Sequence, residues 1–157
     1  MSSKGNYSAK KGVYQLNNPH KYIGILTEDG VLFRSSWEER MFYYMDHNKN
    51  IVEWSAESVI VPYLFTLDGK VHKYYPDILC KVNGHDGMKT YMIEVKPEKQ
   101  TKAPTKPKNR SLDRKARYDK EMFTYIKNKD KWKAAEDYCA KNGHEFMLIT
   151  EKHIFPQ

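Results

Sequence analysis

Two stretches decide how the chain is read: Tyr74-Tyr75-Pro76-Asp77-Ile78-Leu79 and, one turn later, Tyr91-Met92-Ile93-Glu94-Val95-Lys96-Pro97. The first puts an acid where a strand is broken. Proline has no N–H, so the ladder must bulge or splay at Pro76, and Asp77 can turn toward the opening. In the second, strand alternation sends Tyr91, Ile93 and Val95 to one face, into a core. Glu94 and Lys96 share the other face, side by side. Between the two lies Asn83-Gly84-His85-Asp86-Gly87, a strong turn signal, so the segments are expected to form a hairpin. A Glu-x-Lys pair alone is an ordinary solvated face, and Pro-Asp alone an ordinary turn start. Their combination in consecutive strands is more specific.

That combination suits phosphodiester hydrolysis. The attacking water must lose a proton, and charge on the phosphorane-like transition state must be neutralised. A hard divalent cation serves both needs when its ligands are oxygens and several positions stay open. Asp77 and Glu94 would supply carboxylates, and the Val95 carbonyl a third oxygen. Lys96, a cation, would instead orient and deprotonate the water or stabilise the phosphate.

The chain around these stretches has 157 residues, a one-domain length. Aromatics at 13% argue against disorder. A net charge of +7 favours a polyanionic partner, nucleic acid or an anionic membrane surface. No apolar run approaches the roughly 20 residues of a spanning helix. Met1-Ser2-Ser3-Lys4-Gly5-Asn6-Tyr7 has neither a signal-peptide core nor the myristoylation pattern. A cytoplasm-like compartment without membrane attachment is expected. Cys80 and Cys139 read as two buried thiols rather than zinc ligands, which would number about four.

Residues 1–22 are polar and basic and read as an N-terminal arm, either lying along nucleic acid or inert; 23–157 read as one domain. Residues 23–33 alternate around Glu28-Asp29-Gly30 as a short hairpin. Ser35 with Glu38, or Ser36 with Glu39, fits a capping box opening a helix, whose apolar face would be Trp37, Met41, Tyr44 and Met45. Strands are expected over 51–54, 58–65, 71–82 and 88–96. Residues 97–110, with three prolines, form a loop long enough to suspect function. Helices follow over 112–126 and 131–142, closed by Gly143, then a buried strand over 145–150. The order predicts a mixed α/β layer fold, an α+β mixed sheet.

Between Lys99 and Lys120 stand nine basic residues against Asp113 and Asp119, an excess as large as the net charge of the whole chain. Such a block gives phosphate affinity without sequence reading, or is simply a solvated loop and helix face. The candidate DNA contacts are Lys102, Lys106, Lys108, Arg110, Arg114, Lys115 and Arg117. Tyr74 and Tyr75 fall on opposite faces of the strand, one available to stack on DNA. Trp132, with Ala135 and Cys139 at helical spacing, reads as core. His72 reads as structural or exposed.

Pro76-Asp77 with Glu94-Val95-Lys96 resembles the PD-(D/E)XK nuclease signature. Asn18-Pro19-His20-Lys21-Tyr22-Ile23-Gly24, Arg34-Ser35-Ser36-Trp37-Glu38, Tyr74-Tyr75-Pro76-Asp77, Ile93-Glu94-Val95-Lys96-Pro97 and Lys131-Trp132-Lys133-Ala134-Ala135 resemble the head completion nuclease family of large tailed phages. Some also resemble the endonuclease subunit of heteromeric bacterial transposases. The resemblance implies a restriction-endonuclease-like αβββαβ core, Mg²⁺ dependence with Mn²⁺ as a substitute, and DNA as substrate during packaging. It places the protein in the host cytoplasm or on the phage head, with capsid, portal or neck proteins as partners. A helix glutamate often joins such sites: Glu38 matches best through Ser35, with Glu39 as the alternative. Glu57 is a supporting candidate or a surface carboxylate. A non-catalytic DNA- or capsid-binding assembly protein on the same fold stays open, as does a transposase subunit, which would need room for a further DNA-binding domain.

Overall fold

The computed structural model describes residues 8–27, 30–109 and 111–154. Its centre is a mixed sheet of β3 (Ile51–Ala56), β6 (Ile78–Gly84), β7 (Gly87–Val95) and β8 (Glu145–Ile149), in the order β3-β6-β7-β8. The first two pairings are antiparallel, and β7 with β8 is parallel. Helix α1 (Ser36–His47) precedes β3, and helix α2 (Leu112–Asn142) crosses from β7 to β8. With β4 (Val61–Phe65) and β5 (Lys70–Tyr74) set aside as a separate antiparallel ribbon, the order is αβββαβ, the mixed α+β core expected.

One side of the sheet packs on α1 through Trp37, Phe42, Met45, Trp54, Ile78, Ile93 and Val95. Trp54 is fully buried, its ring 5.3 Å from Phe42 and 4.8 Å from Tyr22. The other side packs on α2 and the ribbon through Val61, Tyr63, Phe65, Tyr74, Met92, Ala135 and Cys139. Strand β7 is therefore covered on both faces. Ile93 and Val95 face α1, and Met92 faces α2 and the ribbon.

Several expectations change. The strand foreseen over 71–82 is two strands in two different sheets, because the chain turns from β5 into β6 through Tyr75-Pro76-Asp77. The helices foreseen over 112–126 and 131–142 are one helix of 31 residues, about 46 Å long. Lys127-Asn128-Lys129-Asp130 holds no Gly or Pro, and its propensity cost of tenths of a kcal/mol per residue cannot break a helix. The buried positions Asn128, Trp132, Ala135 and Cys139 stay in phase through it. Gly143 ends the helix with φ 69°, a left-handed cap. In α1 the buried face contains Phe42, while Tyr44 is 52% exposed.

The hairpin foreseen over 23–33 shrinks to one antiparallel bridge, Thr27 with Gly30, while β2 (Val31–Phe33) pairs with β1 (Gly12–Tyr14). Glu28 and Asp29 of the foreseen turn lie outside the described residues. The approach is close enough that a Cβ on Gly30 would run into the Tyr14 carbonyl. Residues 8–22 therefore do not form an arm but are built into the domain.

A clasp at the end of α1 holds that segment. The Lys21 ammonium is buried and donates to the carbonyls of Met45, Asp46 and Asn48 at 2.7, 3.0 and 2.8 Å. It satisfies acceptors that the helix C-terminus leaves open and meets the negative end of the dipole. Reciprocally, the Asp46 carboxylate accepts from the Tyr14 hydroxyl and the Asn17 and Asn18 N–H groups at 2.9, 2.8 and 3.0 Å. Burial alone would push the Asp46 carboxyl up, but these donors outweigh it and hold the group below its ordinary value.

A folded-state value below the unfolded one means Asp46 stabilises the fold at neutral pH, and this is lost as pH falls through the folded value. Asp46→Asn is expected to cost about 2 kcal/mol at pH 7. The gap to wild type should shrink below about pH 4, in denaturant melts across pH.

Candidate active site

The β6–β7 ladder stops at Ile78 opposite Ile93. The next hydrogen-bonded pair in that register would be Pro76 with Val95. The Val95 N–H instead donates to Asp77 Oδ2 at 2.8 Å, while the Lys96 N–H turns the other way and donates to the Ile149 carbonyl of β8 at 2.9 Å. The Asp77 carbonyl accepts from the Glu57 N–H at 3.1 Å. Asp77 is thus tied by its side chain to β7 and by its main chain to the residue after β3.

Glu94 is on the same face as Lys96, and its Oε1 lies 3.5 Å from Lys96 Nζ. That face is not open at Glu94, which is only 5% exposed. Tyr74, the last residue of β5, closes over it and donates its hydroxyl to Glu94 Oε2 at 2.6 Å. Burial and then the Glu94 charge push the Tyr74 phenol far up, so it stays a proton donor. Tyr75, by contrast, is exposed.

Glu38 comes in from the first turn of α1. The Ser35 hydroxyl caps that turn by accepting from the Glu38 N–H at 3.1 Å. Glu38 Oε2 accepts from the Arg34 N–H at 2.9 Å, one residue earlier than a capping box requires. Its carboxyl is pushed up by burial and by the charges of Glu57 and Glu94, against the pull of the Arg34 N–H and Lys96. Asp77 is pushed well up by burial and then by Glu94 and Glu38, against the Val95 N–H and Lys96. Asp77, Glu94, Lys96 and Glu38 therefore share one electrostatic site. Three acids that repel one another in a low dielectric attract a cation.

Among the described residues, no three His, Cys, Asp or Glu side chains are placed to hold a metal ion by themselves. The available donor set is the Asp77 and Glu94 carboxylates and main-chain oxygen. Within a strand, N–H and C=O of one residue face the same edge, so Val95 presents its carbonyl on the edge where Asp77 binds its N–H. Such an all-oxygen donor set fits a hard cation such as Mg²⁺, which prefers oxygen ligands.

Arg34 and Glu57 frame the rim. Arg34 Nε and Nη2 reach the two Glu57 carboxylate oxygens at 2.8 and 3.3 Å. The charges of Glu57, Glu38 and Asp77 all act on this guanidinium and hold it charged. Glu57 has φ 48°, the one positive-φ non-glycine among the described residues. The sequence weighed Glu57 as a surface carboxylate and passed over Arg34; nothing local marks a left-handed glutamate, although both residues stand beside readable fragments.

A groove of about 1060 Å³ opens between the loop after β7 and the first half of α2. Lys102, Arg114 and Arg117 of the foreseen DNA contacts line it, with Lys99, Lys120, Tyr118 and Tyr125. Lys106, Lys108 and Lys115 are exposed nearby, and Arg110 lies outside the described residues. Cys80 and Cys139 are buried free thiols. His72 pairs with Asp68 at 2.7 Å on the ribbon. No helix among the described residues is long and apolar enough to cross a membrane.

An αβββαβ core with Asp77, Glu94 and Lys96 gathered at a splayed hairpin end is the layout of a restriction-endonuclease-like nuclease fold. Residues 48–151 match the family described as TnsA-like endonuclease N terminal. The head completion nuclease of Enterobacteria phage T4 is 34% identical over 143 residues, covering 91% of this chain and 92% of that protein. The chain belongs to the TnsA-like endonuclease family. The matched segment holds Asp77, Glu94 and Lys96, and it begins just after α1, so Glu38 lies outside it.

Glu57→Ala and Glu57→Gly both remove the Arg34 pair, but only glycine relieves the left-handed backbone. The glycine variant should be the more stable by about 1 kcal/mol in denaturant melts, because that is the scale of the left-handed cost for a residue with a Cβ.

Proposed function

We propose that this protein is a metal-dependent deoxyribonuclease of low sequence specificity that acts on DNA during phage head completion and packaging. The observation that carries this reading is the meeting of Asp77, Glu94 and Lys96, with Glu38 beside them, at the broken end of the β6–β7 hairpin. The relation to a phage head completion nuclease supports the setting.

Asp77, Glu94 and the Val95 carbonyl are the ligands for Mg²⁺, with Mn²⁺ as a substitute. The bound ion supplies electrophilic stabilisation of the phosphate and acidifies water. Lys96 orients the attacking water and takes part in its deprotonation. Tyr74 holds Glu94 in one rotamer, and Glu38 adds negative charge that favours cation binding. The groove and the exposed lysines beside it bind the DNA backbone through Lys102, Lys106, Lys108, Arg114, Lys115 and Arg117, and Arg110 belongs to the same basic block. Phosphate contacts of this kind fix position rather than read bases. The partners are DNA and the capsid, portal or neck proteins, in the host cytoplasm or on the phage head.

Supercoiled plasmid should be nicked and linearised with Mg²⁺ or Mn²⁺ and left intact with EDTA. Asp77→Ala and Lys96→Ala should each lose at least about 10²-fold in rate, as removal of a group stabilising the transition state does. Cutting that survives either change sinks the assignment. Metal-independent DNA binding without any cutting would favour a non-catalytic head assembly protein.

Titrating DNA affinity against salt tests the groove separately. Lys102→Gln and Arg117→Gln should each flatten the log–log slope by about 0.9 if one duplex phosphate contact is lost. An unchanged slope places the DNA elsewhere.

A further inference from the structure

Helix α2 brings one more charged group to the site. Lys131 follows the groove floor at Asn128 by three residues and is half-buried against the ribbon. Its ammonium lies 5.4 Å from the Tyr74 ring centroid and 5.9 Å from that of Tyr63. Tyr74 is the residue whose hydroxyl holds Glu94. Lys131 thus stands over the face of a ring whose tip is in the active site.

The charges that act on Lys131 are Glu94, Lys96, Lys127 and Asp77, two of them the carboxylates of the site. None of these acids is within ion-pair distance of it, and neither is any other carboxylate among the described residues. Burial outweighs their attraction and lowers its proton affinity. A half-buried ammonium without a carboxylate partner carries a desolvation cost, which the two aromatic faces offset only in part. One turn back on the same face stands Lys127. That ammonium lies over Phe65 and Phe123, at 5.5 and 5.9 Å, rings that carry no hydroxyl to the site.

We propose that Lys131 is a second catalytic cation, which contacts a non-bridging oxygen of the phosphate under attack while Lys96 serves the attacking water. The inference rests on the nuclease reading above and divides between two lysines the roles that Lys96 alone could fill. An ammonium on the phosphate oxygens strengthens as negative charge develops there, so it acts on rate rather than on ground-state affinity. The aromatic bed keeps water away and holds the long side chain without neutralising it, as a carboxylate would.

The test uses the full chain, linear duplex DNA and Mg²⁺, with single-turnover rates at saturating protein and affinity measured separately with Ca²⁺ in place of Mg²⁺. Lys131→Met should slow cleavage by about 10²–10³-fold, the scale of one lost transition-state contact, with affinity nearly unchanged. Lys131→Arg, which keeps the charge, should recover most of that rate, and Lys127→Met should cut like wild type. Cleavage by Lys131→Met at the wild-type rate overturns the proposal. So does a loss confined to affinity, or an arginine variant with a native circular dichroism spectrum that is as slow as the methionine one. If Lys131→Met does not fold, the arginine variant and Lys131→Gln decide on the same criteria. Wild type that cuts nothing in either metal fails the nuclease reading itself. Wild type that cuts, with Asp77→Ala inert and Lys131→Met unimpaired, fails this inference alone.

Discussion

The Val95 N–H faces the β6 edge of β7, where the ladder has run out because Pro76 turns the chain away toward the ribbon. Left buried without an acceptor it would cost about 1–3 kcal/mol. The Asp77 carboxylate accepts it at 2.8 Å. That bond brings a charged side chain against the strand that already carries Glu94 and Lys96, and so a backbone requirement and the crowding of acids have one origin. The Glu57 N–H then fixes the Asp77 main chain, and the Tyr74 hydroxyl fixes the Glu94 carboxylate. Neither carboxylate is left to choose its own rotamer.

Charge is segregated by depth. The acids of the site are buried or half-buried around the hairpin end, whereas the basic excess lies on the loop after β7 and the first half of α2. A polyanion is therefore attracted by the outer surface and repelled by the acids beneath it unless a cation intervenes. On the proposed function, charge on the surface would govern encounter and salt dependence, and the buried cluster the chemistry.

How much was legible follows the range of the interactions. The β6–β7 turn, the alternation of Ile93, Glu94, Val95 and Lys96, the Ser35 cap and the Gly143 stop are local, and their residues announce them. The hydrophobic face of α2 was also readable at Trp132, Ala135 and Cys139. What local pattern could not carry was long-range. Gly12–Tyr14 pairs with β2 rather than trailing as an arm, because Lys21 and Asp46 lock residues about 25 positions apart. Glu94 looked solvent-facing because nothing near it in sequence marks Tyr74, 20 positions away, as its lid. The single helix was missed because a run of polar residues reads as a linker unless the phase of the buried positions is followed across it.

That unbroken helix has a mechanical consequence. Its outer half touches the groove and its inner half is packed on the sheet and ribbon through Ala135 and Cys139, with no proline or glycine between. A helix without such an interruption bends only gently. Whatever seizes Arg114 and Arg117 holds a lever whose other arm is embedded beside the carboxylates. On the proposed function, engagement of DNA several turns away and its alignment at the carboxylates would be one rigid-body event, with no joint at which one could occur without the other.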